Sequence, residues 1–177
     1  MQAPDWRACL TSLEDAERYD FLSGLSEAER AALKRHWPFW ARSEQLAPPG
    51  DWRVWLICAG RGFGKTRAGA EWVCDIARHD ASARVALVGS SLGEARAVMV
   101  EGESGILACS PPDRCPLFEP SLKRLTWPGG ATAHLFSAAE PESLRGAQHS
   151  HGCRPIAEGI LRQRGPCDPR LPAPRRD

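Results

Sequence analysis

A short glycine-rich segment carries the clearest chemical signal in this sequence. Gly64, Lys65 and Thr66 match the last three positions of the pattern G-x-x-x-x-G-K-[ST], and Ala59 stands where the pattern has its first glycine. Small residues let successive backbone N–H groups turn inward to form a concave anion site, beside which a lysine and a hydroxyl can act. The segment therefore predicts a loop that binds nucleotide phosphates.

Each residue of the loop has an expected role. Lys65 would neutralise the β- and γ-phosphates, and the Thr66 hydroxyl would be a ligand of Mg²⁺. The helix that starts near Thr66 would point its positive end at the same phosphates. The remaining candidates for phosphate binding are the loop residues Gly60, Gly62, Phe63 and Gly64. The alternative is a glycine-rich turn that only joins a strand to a helix.

The segments around the loop predict an α/β fold. Before the loop, the apolar run RVWLICA has the length of a buried parallel strand. After it, TRAGAEWVCDIARHD predicts a helix with one apolar face, formed by Ala70, Val73, Cys74 and Ala77. A second strand (ARVALVGSS), a second helix (GEARAVMVEG) and two extended segments around Pro-Gly-Gly follow. This order predicts an incomplete P-loop NTPase-type parallel sheet flanked by helices.

Three regions of the chain differ in character. Residues 1–47 predict a helical N-terminal segment, in which Ser26 and Glu29 have the spacing of a capping box. Residues 48–149 predict a partial P-loop ATPase domain. Residues 150–177 are rich in arginine and proline and show little periodicity, which predicts a disordered tail.

Composition narrows the possible classes. The 177 residues can form a hydrophobic core, and a net charge of +1 gives no global field for nucleic acid or membranes. The chain lacks an apolar run of ~18 residues and a signal peptide, so we expect a cytoplasmic protein without membrane contact. The seven cysteines are scattered and lack CxxC spacing, so we do not expect a zinc site.

Several ordered segments resemble large terminase subunits, the ATP-driven motors that package DNA into phage heads and related gene-transfer particles. A non-glycine first position together with Arg61, four residues before the lysine, resembles the Walker A loop of that family. The segments FWARSEQLAPPGDW, VALVGSSLGEARAVMVEGESGIL and FSAAEPESLRGAQHS resemble the parts before and after it. The resemblance covers roughly residues 37–150.

The resemblance implies roles for residues outside the glycine loop. Arg42 and Gln45 would recognise the adenine of ATP, since a glutamine amide offers both a donor and an acceptor. Arg61 would be catalytic at the γ-phosphate, or would form a structural salt bridge instead. Arg145 would lie near the nucleotide or would cap a turn with Gly146. Implied partners are double-stranded DNA, the small terminase subunit and the portal, with an oligomeric ring only for the complete domain.

The acidic half of an ATPase site is missing where the resemblance places it. After LRGAQHS we expect an apolar strand ending in Asp-Glu, but the sequence reads HGCRPIAEGILRQRG. The acids beyond His149 are Glu158, Asp168 and Asp177, and none follows an apolar strand. We therefore expect a terminase ATPase fragment, frameshifted or ended early after about residue 149 and without the nuclease domain. ATP binding is expected and hydrolysis is not.

Two other functions remain open from the sequence. One is a different P-loop enzyme, a fragment of a helicase or of a small-molecule kinase. The other is a non-catalytic remnant that binds partners through residues 1–47. Six tryptophans favour core packing over a nucleic-acid platform: Trp37, Trp40, Trp52, Trp55, Trp72 and Trp127. Ser91, after Ser90 at the end of the second strand, is expected to cap a helix.

Overall fold

The computed structural model describes residues 10–145, 148–155 and 159–163. The chain divides into two compact units, Met1–Leu46 and Ala47–Asp177. The first contains helices α1 (Asp15–Gly24), α2 (Glu27–Arg35) and α3 (Trp37–Trp40), followed by a 3₁₀ turn at Ser43–Gln45. The second contains every strand that the structure describes.

The predicted capping box at the start of α2 is confirmed. The Ser26 hydroxyl accepts a hydrogen bond from the Glu29 N–H at 3.3 Å, and the Glu29 carboxylate accepts one from the Ser26 N–H at 2.8 Å. The Ser26 hydroxyl and N–H also lower the pKa of Glu29. These bonds satisfy backbone groups that the first turn of a helix leaves without partners.

The second unit alternates helices with strands. Its helices are α4 (Lys65–His79), α5 (Leu92–Glu94) and α6 (Ile106–Cys109), with a π-helical segment at Ala95–Val100 and 3₁₀ turns at Pro112–Arg114, Pro120–Leu122 and Pro141–Leu144. Its strands are β1 (Val54–Ile57), β2 (Arg84–Gly89), β3 (Leu117–Glu119), β4 (Arg124–Thr126), β5 (Thr132–Ser137), β6 (His151–Pro155) and β7 (Gly159–Gln163). The predicted α/β class is therefore correct.

The described strands form one seven-stranded sheet in the order β1-β7-β6-β2-β5-β4-β3. Strand β2 lies between two parallel partners, β5 and β6. The remaining pairs, β1–β7, β6–β7, β4–β5 and β3–β4, are antiparallel. The sheet is therefore mixed, where the sequence predicts a parallel one. Strands joined by only a few residues cannot make the long crossover that parallel pairing needs, and so β6 and β7 pair antiparallel.

The core lies where helix α4 covers one face of the sheet. Ala70, Val73, Cys74 and Ala77 are all buried, which confirms the predicted apolar face of this helix. Helix α4 packs against β6, β7, α6 and the π-helical segment. Opposite it, Val85 and Leu87 of β2 are fully buried. Apolar burial on this scale is the main stabilising contribution to such a unit.

Strands β6 and β7 lie in the segment for which the sequence predicts disorder. The prediction is wrong for residues 151–155 and 159–163, while residues 156–158 and 164–177 lie outside the described residues. Local composition gives no sign of either strand, because each strand also needs a partner that is distant in sequence. Strand β6 pairs with β2, and β7 pairs with β1 as well as with β6.

The prediction that the tryptophans pack in the core is correct only in part. Trp72 and Trp127 are buried, whereas Trp37, Trp52 and Trp55 are half-buried. Trp52 contacts both Trp55 and Trp72, with ring centroids 6.1 and 5.9 Å apart. Trp40 is 55% exposed, so its predicted core position is wrong. Its indole N–H donates to the carbonyl of Leu33 in α2, so the exposed ring is bonded to the preceding helix.

Candidate functional site

Four strands end at the same edge of the sheet. Strand β7 runs opposite to both β1 and β6, so β1 and β6 run in one direction, which β2 and β5 share through their parallel pairs. The glycine-rich loop follows β1 at this edge, and Gly89, Ser137 and Pro155 end the other three strands there. Ligands of α/β proteins bind beyond such carboxyl ends.

Two glycines give the loop its shape. Gly62 has a φ of 77° and Gly64 a φ of 88°, values that residues with a side chain rarely adopt. Gly64 directly precedes α4, which begins at Lys65. A Cβ atom built on Gly60 or Gly62 would meet no atom within 4 Å, so the space above this backbone is open. An open loop with left-handed glycines at a helix N-terminus has the geometry of an anion site.

The ammonium group of Lys65 lies over the first half of the loop. Its Nζ donates hydrogen bonds to the carbonyl oxygens of Ala59 at 2.7 Å and Gly60 at 2.9 Å. The half-buried side chain of Thr66 follows in the first turn of α4. The structure thus brings a cation, a hydroxyl and a helix N-terminus together at one end of the loop.

A cleft lies beside Lys65 and Thr66, between α4 and the sheet. Its lining is otherwise mainly apolar: Ile57, Gly69, Ala70, Val73, Leu87, Met99, Ile106, Cys153 and Arg154. None of these described residues is acidic. Burial raises the pKa of the Cys153 thiol to about 12, so this thiol stays protonated near neutral pH. Among the residues that the structure describes, the cleft therefore offers positive charge and a hydroxyl but no carboxylate.

A family model described as terminase large subunit, T4likevirus-type, N-terminal, matches residues 56–152. The chain belongs to this family. The match covers more than half of the sequence and runs from β1 through the loop and α4 into β6. It confirms the resemblance to large terminase subunits. No curated protein and no solved structure matches the chain.

Strand β6 lies where the terminase resemblance implies the acidic strand. It follows the SLRGAQ segment in the sequence and pairs in parallel with β2. Its five residues are His151, Gly152, Cys153, Arg154 and Pro155. The structure thus has a strand at this position but no acid in it. In the described residues, no group of three or more His, Cys, Asp or Glu side chains could hold a metal ion.

Arg61 and Phe63 of the glycine-rich loop remain candidates for nucleotide binding or catalysis. Arg61 is exposed and forms no ion pair with the described residues, so the structural salt bridge considered as its alternative is not seen among them. Phe63 is half-buried next to Gly64. The catalytic role of Arg61 and the binding role of Phe63 remain predictions.

The two residues expected to read adenine lie in the first compact unit, outside the terminase match. Gln45 is buried, and its Oε1 accepts a hydrogen bond from the Arg42 N–H at 2.9 Å across a 3₁₀ turn. This bond already engages the side of the amide that would accept from the adenine amino group. Recognition of adenine by Arg42 and Gln45 remains a prediction.

Two weaker candidates have local partners instead. Arg145 is exposed and pairs with Glu142 at 2.8 Å. The Ser91 hydroxyl accepts the Glu94 N–H at 3.1 Å, which confirms its predicted role as a helix cap. The Ser90 hydroxyl donates to the Glu94 carboxylate. These contacts stabilise turns at the carboxyl edge of the sheet.

One buried acid on α4 was missed from the sequence. Glu71 is only 7% exposed, and its Oε1 accepts hydrogen bonds from Arg67 at 2.9 and 2.6 Å. Burial raises the pKa of Glu71, although the Arg67 guanidinium opposes this shift. The spacing of four residues between opposite charges could have revealed the pair.

No described helix is long and apolar enough to cross a membrane.

Proposed function

We propose that the loop from Gly60 to Thr66 binds the phosphates of ATP in a P-loop NTPase-type fold. The chain would then supply the ATP-binding part of a terminase large subunit, which acts in packaging DNA into a phage-like particle. The family match supports the packaging role in general. The observation that carries the proposal is the Lys65 ammonium held over a loop whose left-handed glycines precede helix α4.

Each loop residue has a part in this proposal. Backbone N–H groups from Gly60 to Gly64, Phe63 included, would surround the phosphates. The Lys65 ammonium would leave the carbonyls of Ala59 and Gly60 and turn to the β- and γ-phosphates. Arg61 is exposed without an ion pair in the described residues, so it is free to reach the γ-phosphate as the catalytic arginine.

Mg²⁺ fits the site through one protein ligand. The Thr66 hydroxyl would hold it, with phosphate oxygens and water as the other ligands, because the described lining of the cleft contains no carboxylate. When bound, the metal would neutralise charge on the phosphates. Because the described lining of the cleft has no acid to orient the attacking water, we propose that this chain binds ATP and does not hydrolyse it alone.

The other family expectations are part of the same proposal. Arg42 and Gln45 would recognise adenine. The partners would be double-stranded DNA, the small terminase subunit and the portal, in a phage or a gene-transfer agent. The protein would act in the cytoplasm, and a ring would form only from complete domains.

Titration of the full chain with ATP and Mg²⁺ tests the proposal. Lys65→Ala removes the charge that faces the phosphates, and we expect it to weaken binding by about 10- to 100-fold, since a hydrogen bond to a charged group contributes ~1.5–3 kcal/mol. Lys34→Ala is the matched control, because Lys34 lies exposed on α2. Wild-type protein that binds no ATP, or equal affinities for both variants, would overturn the proposal.

The role of Arg61 has its own comparison. If Arg61 contacts the γ-phosphate, Arg61→Ala lowers the affinity for ATP and leaves that for ADP unchanged. We expect a few-fold change in ATP affinity, because an exposed ion pair contributes only ~0.2–1 kcal/mol. Equal losses for ATP and ADP would place Arg61 elsewhere on the nucleotide.

A further inference from the structure

We propose that strand β7 (Gly159–Gln163) positions the phosphate loop, although it lies outside the residues matched by the family model. This inference rests on the proposed binding of phosphates by the loop. The residues of β7 act through β1 and need not touch the nucleotide themselves.

In the described sheet, strand β1 pairs with a single strand, β7. β1 is an edge strand, and its four residues pair with β7 from Val54↔Arg162 to Ile57↔Gly159. Ile57 is the last residue of β1, and the glycine-rich loop begins within two or three residues of it. The backbone that leads into the loop is therefore fixed at Gly159.

Strand β7 also joins β1 to the rest of the sheet. It pairs with β6 from His151↔Gln163 to Pro155↔Gly159, and β6 pairs with β2. Neighbouring strands lie about 4.8 Å apart, so an empty β7 position would leave β1 about 10 Å from β6. Backbone hydrogen bonds cannot span that gap. Without β7, strand β1 has no ladder in the described sheet.

The side chains of β1 provide little compensation for such a loss. Val54 is 51% and Leu56 is 47% exposed, and Ile57 is the buried residue of the strand. Trp55 is half-buried and contacts Trp52, which in turn contacts Trp72 of α4. This apolar contact holds β1 near the helix but does not set the position of its backbone. The ladder with β7 does.

The test uses three variants of the full chain. Leu161→Pro removes a backbone N–H from the middle of β7, where Leu161 pairs with both Trp55 and Cys153. Leu161→Val keeps the N–H and a residue type that favours strands. Leu117→Pro places the same strand-breaking residue in β3, at the other edge of the sheet. ATP affinity and amide hydrogen exchange are measured for each.

We expect Leu161→Pro to weaken ATP binding by about tenfold or more, because an unfixed loop loses its preorganisation. Exchange should become faster at residues 55–57 while residues 85–87 stay protected, which a general loss of folding would not produce. Leu161→Val and Leu117→Pro should keep ATP affinity within about twofold of wild type. Wild-type affinity and unchanged exchange at residues 55–57 in Leu161→Pro would overturn the inference.

A further variant is needed if Leu161→Pro also makes hydrogen exchange faster at residues 85–87. Leu161→Gly keeps the N–H and weakens the strand mildly, so faster exchange at residues 55–57 and a few-fold loss of ATP affinity are expected. Wild-type values in Leu161→Gly would then overturn the inference. If wild-type protein binds no ATP, the proposed function fails, while hydrogen exchange at residues 55–57 still decides whether β7 fixes β1.

Discussion

The glycine-rich loop joins two elements that are held in very different ways. Helix α4 follows the loop, has 15 residues and buries eight of them, among them Val73 with no exposed surface. Strand β1 precedes the loop, has four residues and buries one, Ile57. The helix side of the loop is thus fixed by side-chain packing, and the strand side by a backbone ladder with β7.

This difference has a consequence for how the loop keeps its shape. The features suited to phosphate binding lie at the helix end, where Gly64, Lys65 and Thr66 are carried by the rigid element. The carbonyls that now accept from the Lys65 ammonium, those of Ala59 and Gly60, lie at the strand end. We expect changes on the helix side to cost stability and changes on the strand side to affect mainly the loop.

The largest expected effect is on the free energy of unfolding, when a valine is replaced by alanine in α4 or in β1. Val73→Ala removes methyl groups from a fully buried side chain of α4 and should lower the free energy of unfolding by about 1.5–3 kcal/mol. Val54→Ala, in the half-exposed β1, should lower it by less than about 1 kcal/mol. Urea unfolding of both variants measures the difference. Equal losses would show that β1 is packed as firmly as α4.

The two ends of the loop give a smaller contrast. Gly64→Ala forces a side chain into a left-handed conformation and should cost about 1–2 kcal/mol, with weaker ATP binding. Gly60→Ala places its Cβ in open space, so stability should change by less than about 0.5 kcal/mol. Thermal unfolding and ATP titration measure both effects. A stable Gly64→Ala variant with wild-type affinity would contradict the loop geometry described above.

The smallest effect concerns the buried acid on α4. Burial raises the pKa of Glu71 above its ordinary value of 4.5, so the folded chain binds this proton more tightly than the unfolded chain. The resulting contribution to stability is complete below pH 4.5 and is lost as the pH rises through the raised folded pKa. Relative to Glu71→Gln, the wild type should therefore lose stability as the pH rises above 4.5 and through the raised folded pKa of Glu71.

Urea unfolding across this pH range measures that difference. Glu140→Gln is the control for the loss of a carboxylate, because Glu140 is exposed. A Glu71→Gln difference that stays constant would show that Arg67 offsets the effect of burial, and one with the opposite slope would show that Arg67 outweighs it.

Local patterns predicted much of the helix side of the site. The spacing of Ala70, Val73, Cys74 and Ala77 identified the buried face of α4, because a helix repeats every 3.6 residues and burial follows that repeat. The apolar run from Ala83 onward identified β2, and Pro-Gly-Gly identified the turn between β4 and β5. Each of these features depends on residues close together in the sequence.

The strand side depends on pairings that no local pattern encodes. Strand β7 has the sequence GILRQ in a segment rich in arginine and proline, and its partner in β1 is about 100 residues away. Nothing in that sequence selects β1 or an antiparallel direction. The π-helical segment Ala95–Val100 was predicted only as an ordinary helix. Tertiary contacts override local preference at such positions.

A crystal structure of the chain with bound ADP tests the central claim most directly. If the loop binds phosphates, the β-phosphate will accept hydrogen bonds from backbone N–H groups between Gly62 and Thr66. The Lys65 Nζ will then have left the carbonyls of Ala59 and Gly60, to which it now donates at 2.7 and 2.9 Å. A nucleotide bound elsewhere, with both lysine contacts intact, would contradict the assignment of this loop as the phosphate site.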